Sequence, residues 1–339
     1  MIRVVTAFLI AFIGIGVVPG QVAPAGANST AAKTPGIPRT ADGHPLLDGV
    51  WSTASLTPFQ RPAELATKQS FSDEEARAFE QRRIQERSST RRDGGKLADL
   101  NRAYNDEFFE RGTQVARNRR TSLIVDPPDG RVPELTAQGK AQVAARREYN
   151  AMHPSDGPED RPLPDRCIQF SQVGPPMLPG NYNNNYQIVQ SPNSIAIFAE
   201  MGGVVRVIPI ASGGKSIPYL PPSISPWTGD ARGHWEGDTL AVETIHFSPR
   251  GYNRFGVVFD GPNDENLKVT ERFTRTGPDT AVYRATVEDA TIYSKPWTIE
   301  VPMNKIQAFV YEYACHEGNY GMHGILSGAR TEERKASGR

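Results

Sequence analysis

Leu267-Lys268-Val269-Thr270-Glu271-Arg272-Phe273-Thr274-Arg275 is followed, after a short break, by Thr280-Ala281-Val282-Tyr283-Arg284-Ala285-Thr286-Val287-Glu288. The break is Gly277-Pro278-Asp279, which is turn chemistry, so the stretch reads as two strands joined tightly. Alternate residues of a strand share a face, so Leu267, Val269, Glu271 and Phe273 line one side, and Glu271 interrupts an apolar row. Working outward, the same texture recurs at Tyr186–Gln190, Ser194–Glu200, Val204–Ile210, His234–Glu236, Thr239–Phe247, Thr291–Val301 and Phe309–Tyr313. Short strands at regular spacing, with no helices between them, predict an antiparallel meander closed into a barrel or folded as a sandwich. Pro-rich Pro218–Pro226 reads as a loop over one end.

Upstream the texture is helical. Ser72 with Glu75 three residues on forms a capping box for a helix whose stripe is Ala76, Phe79 and Ile84. A second helix is expected over Leu97–Val115 and a third from Leu135 to about Tyr149, capped by Thr136. Gly49-Val50-Trp51-Ser52 is an opening strand, and Thr121–Val125 is a further one ended by Asp126-Pro127-Pro128-Asp129-Gly130. The fold class is therefore α+β. A single domain is expected over 41–335, with a helical insertion at about 70–155 and an antiparallel β core at about 165–320.

The N-terminus carries an address. Arg3 precedes an apolar run from Val4 to Val18, and small residues follow to Ala25-Gly26-Ala27, the layout of a Sec-type signal peptide over 1–27. Residues 28–40 read as a flexible leader. A secreted or periplasmic protein cleaved near Ala27 is expected, with no membrane anchor. With 38 basic and 38 acidic residues the net charge is zero, which argues against a nucleic-acid partner. The chain has two cysteines, Cys167 and Cys315, and in an oxidising compartment such a pair is expected to bond.

No motif names a reaction. Gly213-Gly214-Lys215-Ser216 resembles the end of a phosphate loop, but the earlier glycine position holds Pro209. The histidines show no tight ligand spacing, and neither metal nor organic cofactor is expected. Polar groups on apolar faces are the better clue. In Thr291–Val301, Tyr293, Lys295, Trp297, Ile299 and Val301 share a face that Lys295 interrupts, and Ala241, Glu243, Ile245 and Phe247 repeat the pattern. Such groups are either a structural Glu–Lys pair, solvent-facing, or the polar floor of an apolar pocket. Asn181–Tyr186, including Asn185 and Tyr186, concentrates amides and phenols, though Asn-rich runs usually mean turns. Tyr313, His316 and Glu317 gather beside Cys315, and His234 with Trp235 precedes a two-residue hairpin turn.

The blocks Gly49-Val50-Trp51, Ser122–Pro128, Asn181–Gln190, Trp235–Thr239 and Tyr313–Tyr320 resemble a family of exported soil and aquatic bacterial proteins, mostly described as uncharacterised. That resemblance implies an exported bacterial protein and assigns no catalytic residue. The Gly-x-Trp start before a meander is also similar to lipocalin-like barrels, which hold small apolar ligands.

Three functions are consistent with this pattern. The first is an enzyme acting on a small, partly apolar molecule by cofactor-independent acid–base chemistry: hydrolysis, elimination or isomerisation. In it His316 and His234 move protons, Glu271 or Glu317 orients them, Lys295 or Tyr313 steadies negative charge, and Trp235, Trp297, Tyr293, Asn185 and Tyr186 bind substrate. The second is a lipocalin-like carrier that transforms nothing. The third is a surface or scaffolding protein whose cavity is filled by side chains. Convergence of His316, Glu271 and Lys295 on one pocket favours the enzyme; an open pocket without them favours the carrier; no pocket favours scaffolding. Oligomeric state is not encoded in any of these features.

Overall fold

The computed structural model describes residues 36–65, 67–86, 95, 110, 112–213, 215–250 and 266–338. The expected signal peptide, most of the expected leader and most of the helix expected at Leu97–Val115 lie outside them.

Ten strands share one sheet: β1 (Gly49–Ser52), β2 (Ile124–Asp126), β3 (Asn185–Gln190), β4 (Ser194–Ala199), β5 (Val204–Pro209), β6 (Asp230–Glu236), β7 (Thr239–Ile245), β8 (Lys268–Arg275), β9 (Thr280–Glu288) and β10 (Trp297–Ile306). Nine follow the order β5-β4-β3-β1-β10-β9-β8-β7-β6, all antiparallel, and β2 pairs separately with β10. The ends of this path meet at a bridge between Ile210 and Gly233, where the Ala211 N–H donates to the Gly233 carbonyl at 2.7 Å. The result is a nearly closed antiparallel barrel, with three α-helices among the described residues: α1 (Asp73–Glu86), α2 (Ala137–Met152) and α3 (Tyr320–Ala336).

The period-two pattern sets the inside. Val269, Glu271 and Phe273 of β8, Ala281, Tyr283, Ala285 and Val287 of β9, and Trp297, Ile299, Val301 and Met303 of β10 are all buried. Trp51 of β1 lies between two cations, the Arg275 guanidinium 5.2 Å and the Lys305 ammonium 5.8 Å from its ring centroid. Lys305 reaches across Gly49 to donate to the Asp48 carbonyl at 2.9 Å. A Cβ on Gly49 would sit 2.6 Å from the Lys305 stem, and its φ of +127° also favours glycine, so the Gly-x-Trp start has a local cause.

Among the described residues, side chains pack the barrel interior. A segment after the helical region, Gln169–Leu178, sends Phe170, Val173, Met177 and Leu178 into the same apolar cluster as the interior strand residues. The Met177 N–H donates to the Tyr283 hydroxyl at 2.9 Å, and the Tyr186 hydroxyl donates to the Gln172 carbonyl at 2.8 Å. Cys167, just before this plug, is disulfide-bonded to Cys315, with Cα atoms 5.7 Å apart. A disulfide is consistent with an extracellular or periplasmic protein. No helix among the described residues is long and apolar enough to cross a membrane.

The helix caps are local chemistry. The Ser72 N–H donates to Glu75 Oε2 at 2.8 Å and the Glu75 N–H donates to Ser72 Oγ at 3.2 Å, a complete capping box on α1. Thr136 Oγ1 accepts from the Gly139 N–H at 3.0 Å on α2.

Several strand assignments need correction. The last strand begins at Trp297 instead of Thr291, because Pro296 has no N–H for a ladder, so Lys295 sits exposed in a loop and does not interrupt the face. Phe309–Tyr313 forms no strand; Phe309 and Tyr311 are 82% and 69% exposed, and Cys315 ties the plug to this coil instead of to a strand. On β7 the interior row is Leu240, Val242 and Thr244, while Glu243 faces outward to Lys268 at 2.9 Å. Helix α3 was not foreseen; its Gly-rich start hides the period, and Asn319 caps it through the Met322 N–H at 3.2 Å.

Candidate functional site

The charge that interrupts the β8 face is consumed inside the barrel. Glu271 is fully buried and takes a two-pronged contact from Arg206 of β5, with Nη1 2.9 Å from Oε1 and Nη2 on Oε2. The Tyr283 hydroxyl donates to the same Oε1 at 2.8 Å. Burial first, and the neighbouring Glu271 charge second, push the Tyr283 phenol well above its usual range, so it stays a donor. The partner of Glu271 is therefore Arg206 and not Lys295. A buried carboxylate held by a bidentate guanidinium and a phenol is saturated, and such a group anchors packing. Arg206 was legible, since it interrupts Val204-Val205-Arg206-Val207-Ile208 as Glu271 interrupts β8.

The other expected site residues fall into separate places. Trp297 and Tyr293 pack edge-on in the core, with ring centroids 6.1 Å apart, and Tyr186 locks the plug. Asn185 is buried, and its Nδ2 donates to Glu200 Oε2 at 2.8 Å and Glu110 Oε2 at 3.1 Å. Burial and then the Glu200 charge raise the Glu110 carboxyl above the usual range. Tyr313, His316 and Glu317 line an open groove of ≈ 380 Å3 beside the disulfide, with His316 and Glu317 exposed and Tyr313 edge-on to Phe170. His316, Glu271 and Lys295 do not converge.

A larger cleft of ≈ 640 Å3 opens at the barrel seam, lined by the segment that follows β5, by β6, by Pro192 between β3 and β4, and by the turn before β1. Two of its lining residues form a ring pair: His44 lies flat on Trp235, with centroids 4.4 Å apart and planes 7° from parallel. The turn carrying His44 is fixed by Arg39, whose guanidinium forks onto Asp238 at 2.8 and 2.5 Å and also donates to the Gly43 carbonyl at 2.8 Å. The Asp42-Gly43 turn is thus pinned to the Gly237-Asp238 hairpin that follows Trp235. Tyr219, from the Pro-rich loop, donates to Glu243 Oε1 at 2.9 Å and lies under the Arg232 guanidinium at 5.0 Å. Burial, then the hydrogen bond to Glu243, raise its pKa. Arg232 is itself held by Asp230 and the Pro218 carbonyl.

His234 also lines this cleft, its Nε2 3.4 Å from Glu236 Oε1. Arg272 holds Glu236 by two contacts of 3.0 and 3.2 Å, and keeps its carboxyl below the usual range. Of the residues singled out from sequence, only His234 and Trp235 meet here. His44, Tyr219 and Lys215 were passed over: His44 lies in a turn remote in sequence, and Lys215 in a failed phosphate-loop match. Among the described residues, no group of three or more His, Cys, Asp or Glu side chains could hold a metal ion.

No protein-family model matches the chain, and no curated protein is similar to it.

Proposed function

We propose that this is an exported small-ligand binding protein whose ligand enters the cleft at the barrel seam. The observation that carries the reading is the His44–Trp235 stack lining an open cleft of ≈ 640 Å3. That volume lies within the range of small-molecule sites, and such sites combine apolar walls with a few placed polar groups. The filled interior and the saturated Glu271 argue against both an interior active centre and an interior lipocalin-like ligand, and leave the seam cleft as the place for a ligand. Export is supported by the basic start, apolar run and small-residue end of residues 1–27, by the resemblance to exported bacterial proteins, and by the disulfide. Zero net charge favours a small molecule over nucleic acid as partner.

A bound ligand stabilises the fold by about 2.7 kcal/mol at a hundredfold excess over Kd. A thermal-shift screen of the purified mature protein against small aromatic and aliphatic acids, alcohols and amines should therefore find melting temperatures raised by several degrees. Trp235→Leu should abolish the shift. A flat screen, or a shift that survives in Trp235→Leu, rules out this site.

One observation favours a second reading, an acid–base enzyme working in the same cleft: His234 beside Glu236 at 3.4 Å. A ligand converted by the parent protein and only retained by His234→Asn would establish it.

A further inference from the structure

We infer that the seam cleft selects a planar aromatic ring bearing a single acidic group, a step that rests on the binding reading above. Two independent features of the cleft carry it. The first is shape. Two rings stacked within 7° of parallel present a flat aromatic surface, and the partner that gains most from it is another flat ring in offset stacking. Ile210 and Ile217 add apolar surface.

The second is charge. The acids around the cleft are engaged within the protein: Asp230 by Arg232, Asp238 by Arg39, Glu236 by Arg272 and Glu243 by Lys268. Asp42, which lines the cleft, accepts the Thr40 hydroxyl. The loop that leaves the seam at Ala211 supplies Ser212, Lys215 and Ser216 to the lining. Among the described residues these three side chains have no hydrogen-bond or ionic partner. The ammonium and two hydroxyls are therefore available to a ligand that brings its own negative charge. The loop begins where Ala211 bonds Gly233, two residues before Trp235, so donors and rings belong to one site.

The test uses the mature protein and four probes: 2-naphthoate, 2-naphthylmethanol, 2-naphthylmethylamine and cyclohexanecarboxylate, titrated by calorimetry and tryptophan fluorescence. A charge-assisted contact corresponds to about tenfold in affinity, so 2-naphthoate should bind about tenfold tighter than the alcohol and the amine, and several-fold tighter than cyclohexanecarboxylate, which has the same charge but no ring to stack. Lys215→Gln should remove the preference for the acid over the alcohol, and its exposed position keeps the fold out of question. The inference is overturned if the alcohol or amine binds as tightly as the acid, or if Lys215→Gln keeps the preference. It is also overturned if no naphthyl probe binds while another compound binds through Trp235; in all three cases the binding reading survives. Absence of any Trp235-dependent ligand sinks the binding reading itself.

Discussion

The barrel interior and the seam cleft use the same ingredients and end differently. Both set ionisable side chains among aromatic and aliphatic ones. Inside, Arg206, Glu271 and Tyr283 complete one another, and the Gln169–Leu178 plug covers what remains. At the seam, the ring pair of His44 and Trp235 and the loop donors around Lys215 face an opening. The difference lies in strand pairing. Between β8 and β9 eight register pairs hold the backbone, whereas among the described residues the β5 and β6 ends of the path are joined by the single bridge of Ile210 and Gly233. Full pairing forces polar groups to find partners within the protein, since an unpaired buried charge costs several kcal/mol. Where pairing stops, solvent or a ligand can supply the partner.

The largest effect expected from breaking this contrast comes from the plug. Cys167→Ser opens a loop of sequence separation 148 and should cost up to about 5 kcal/mol in the chain-entropy model. Denaturant unfolding under non-reducing conditions reads the loss, and ligand affinity at the seam should stay unchanged. A variant as stable as the parent would show that the plug needs no staple; a variant that loses seam binding would show the two regions to be one unit.

Next comes the interior ion pair. Glu271→Ala strands Arg206 without its carboxylate and should cost about 3–5 kcal/mol, while the double replacement Arg206→Met with Glu271→Leu should recover most of it. Equal melting temperatures for parent and Glu271→Ala would remove the distinction between a consumed interior and an open seam.

The smallest effect sharpens where the interior ends. The folded-state carboxyl of Glu110 titrates above its unfolded value, through burial and the Glu200 charge. Stability from its proton is thus present below the unfolded carboxylate range and is lost as pH rises through the folded value. Glu110→Gln should therefore be more stable than the parent at pH 7 by less than about 1 kcal/mol, because the group is only partly buried and solvent screens it. The gap should close below about pH 4. Melting curves across that window check the sign; a gap that widens on acidification contradicts it.

Much of the architecture was written locally. The Ser72–Glu75 box, the Thr136 cap and the turns at Gly237-Asp238 and Gly277-Pro278-Asp279 each act within a few residues, so they were readable one segment at a time. Errors came where a neighbour's absence mattered: Phe309–Tyr313 has strand composition but no edge to join, and Lys295 keeps the right period only if the strand is run back through Pro296. The candidate site was half-visible. His234 and Trp235 sit together in the chain, but His44 lies far upstream and reaches Trp235 only because Arg39 clamps its turn to Asp238.

Taken alone, the order of residues determined the strand period, the turns, the helix caps, the pairing of two cysteines and the presence of charge on apolar faces. All of these depend on spacing along one chain. Only the folded barrel decided which charge met which, that Glu271 would close on Arg206 and that His44 would lie on Trp235. Those contacts depend on sheet order and on the point where the barrel stops pairing, and both are set by the whole sheet and by no single segment of it.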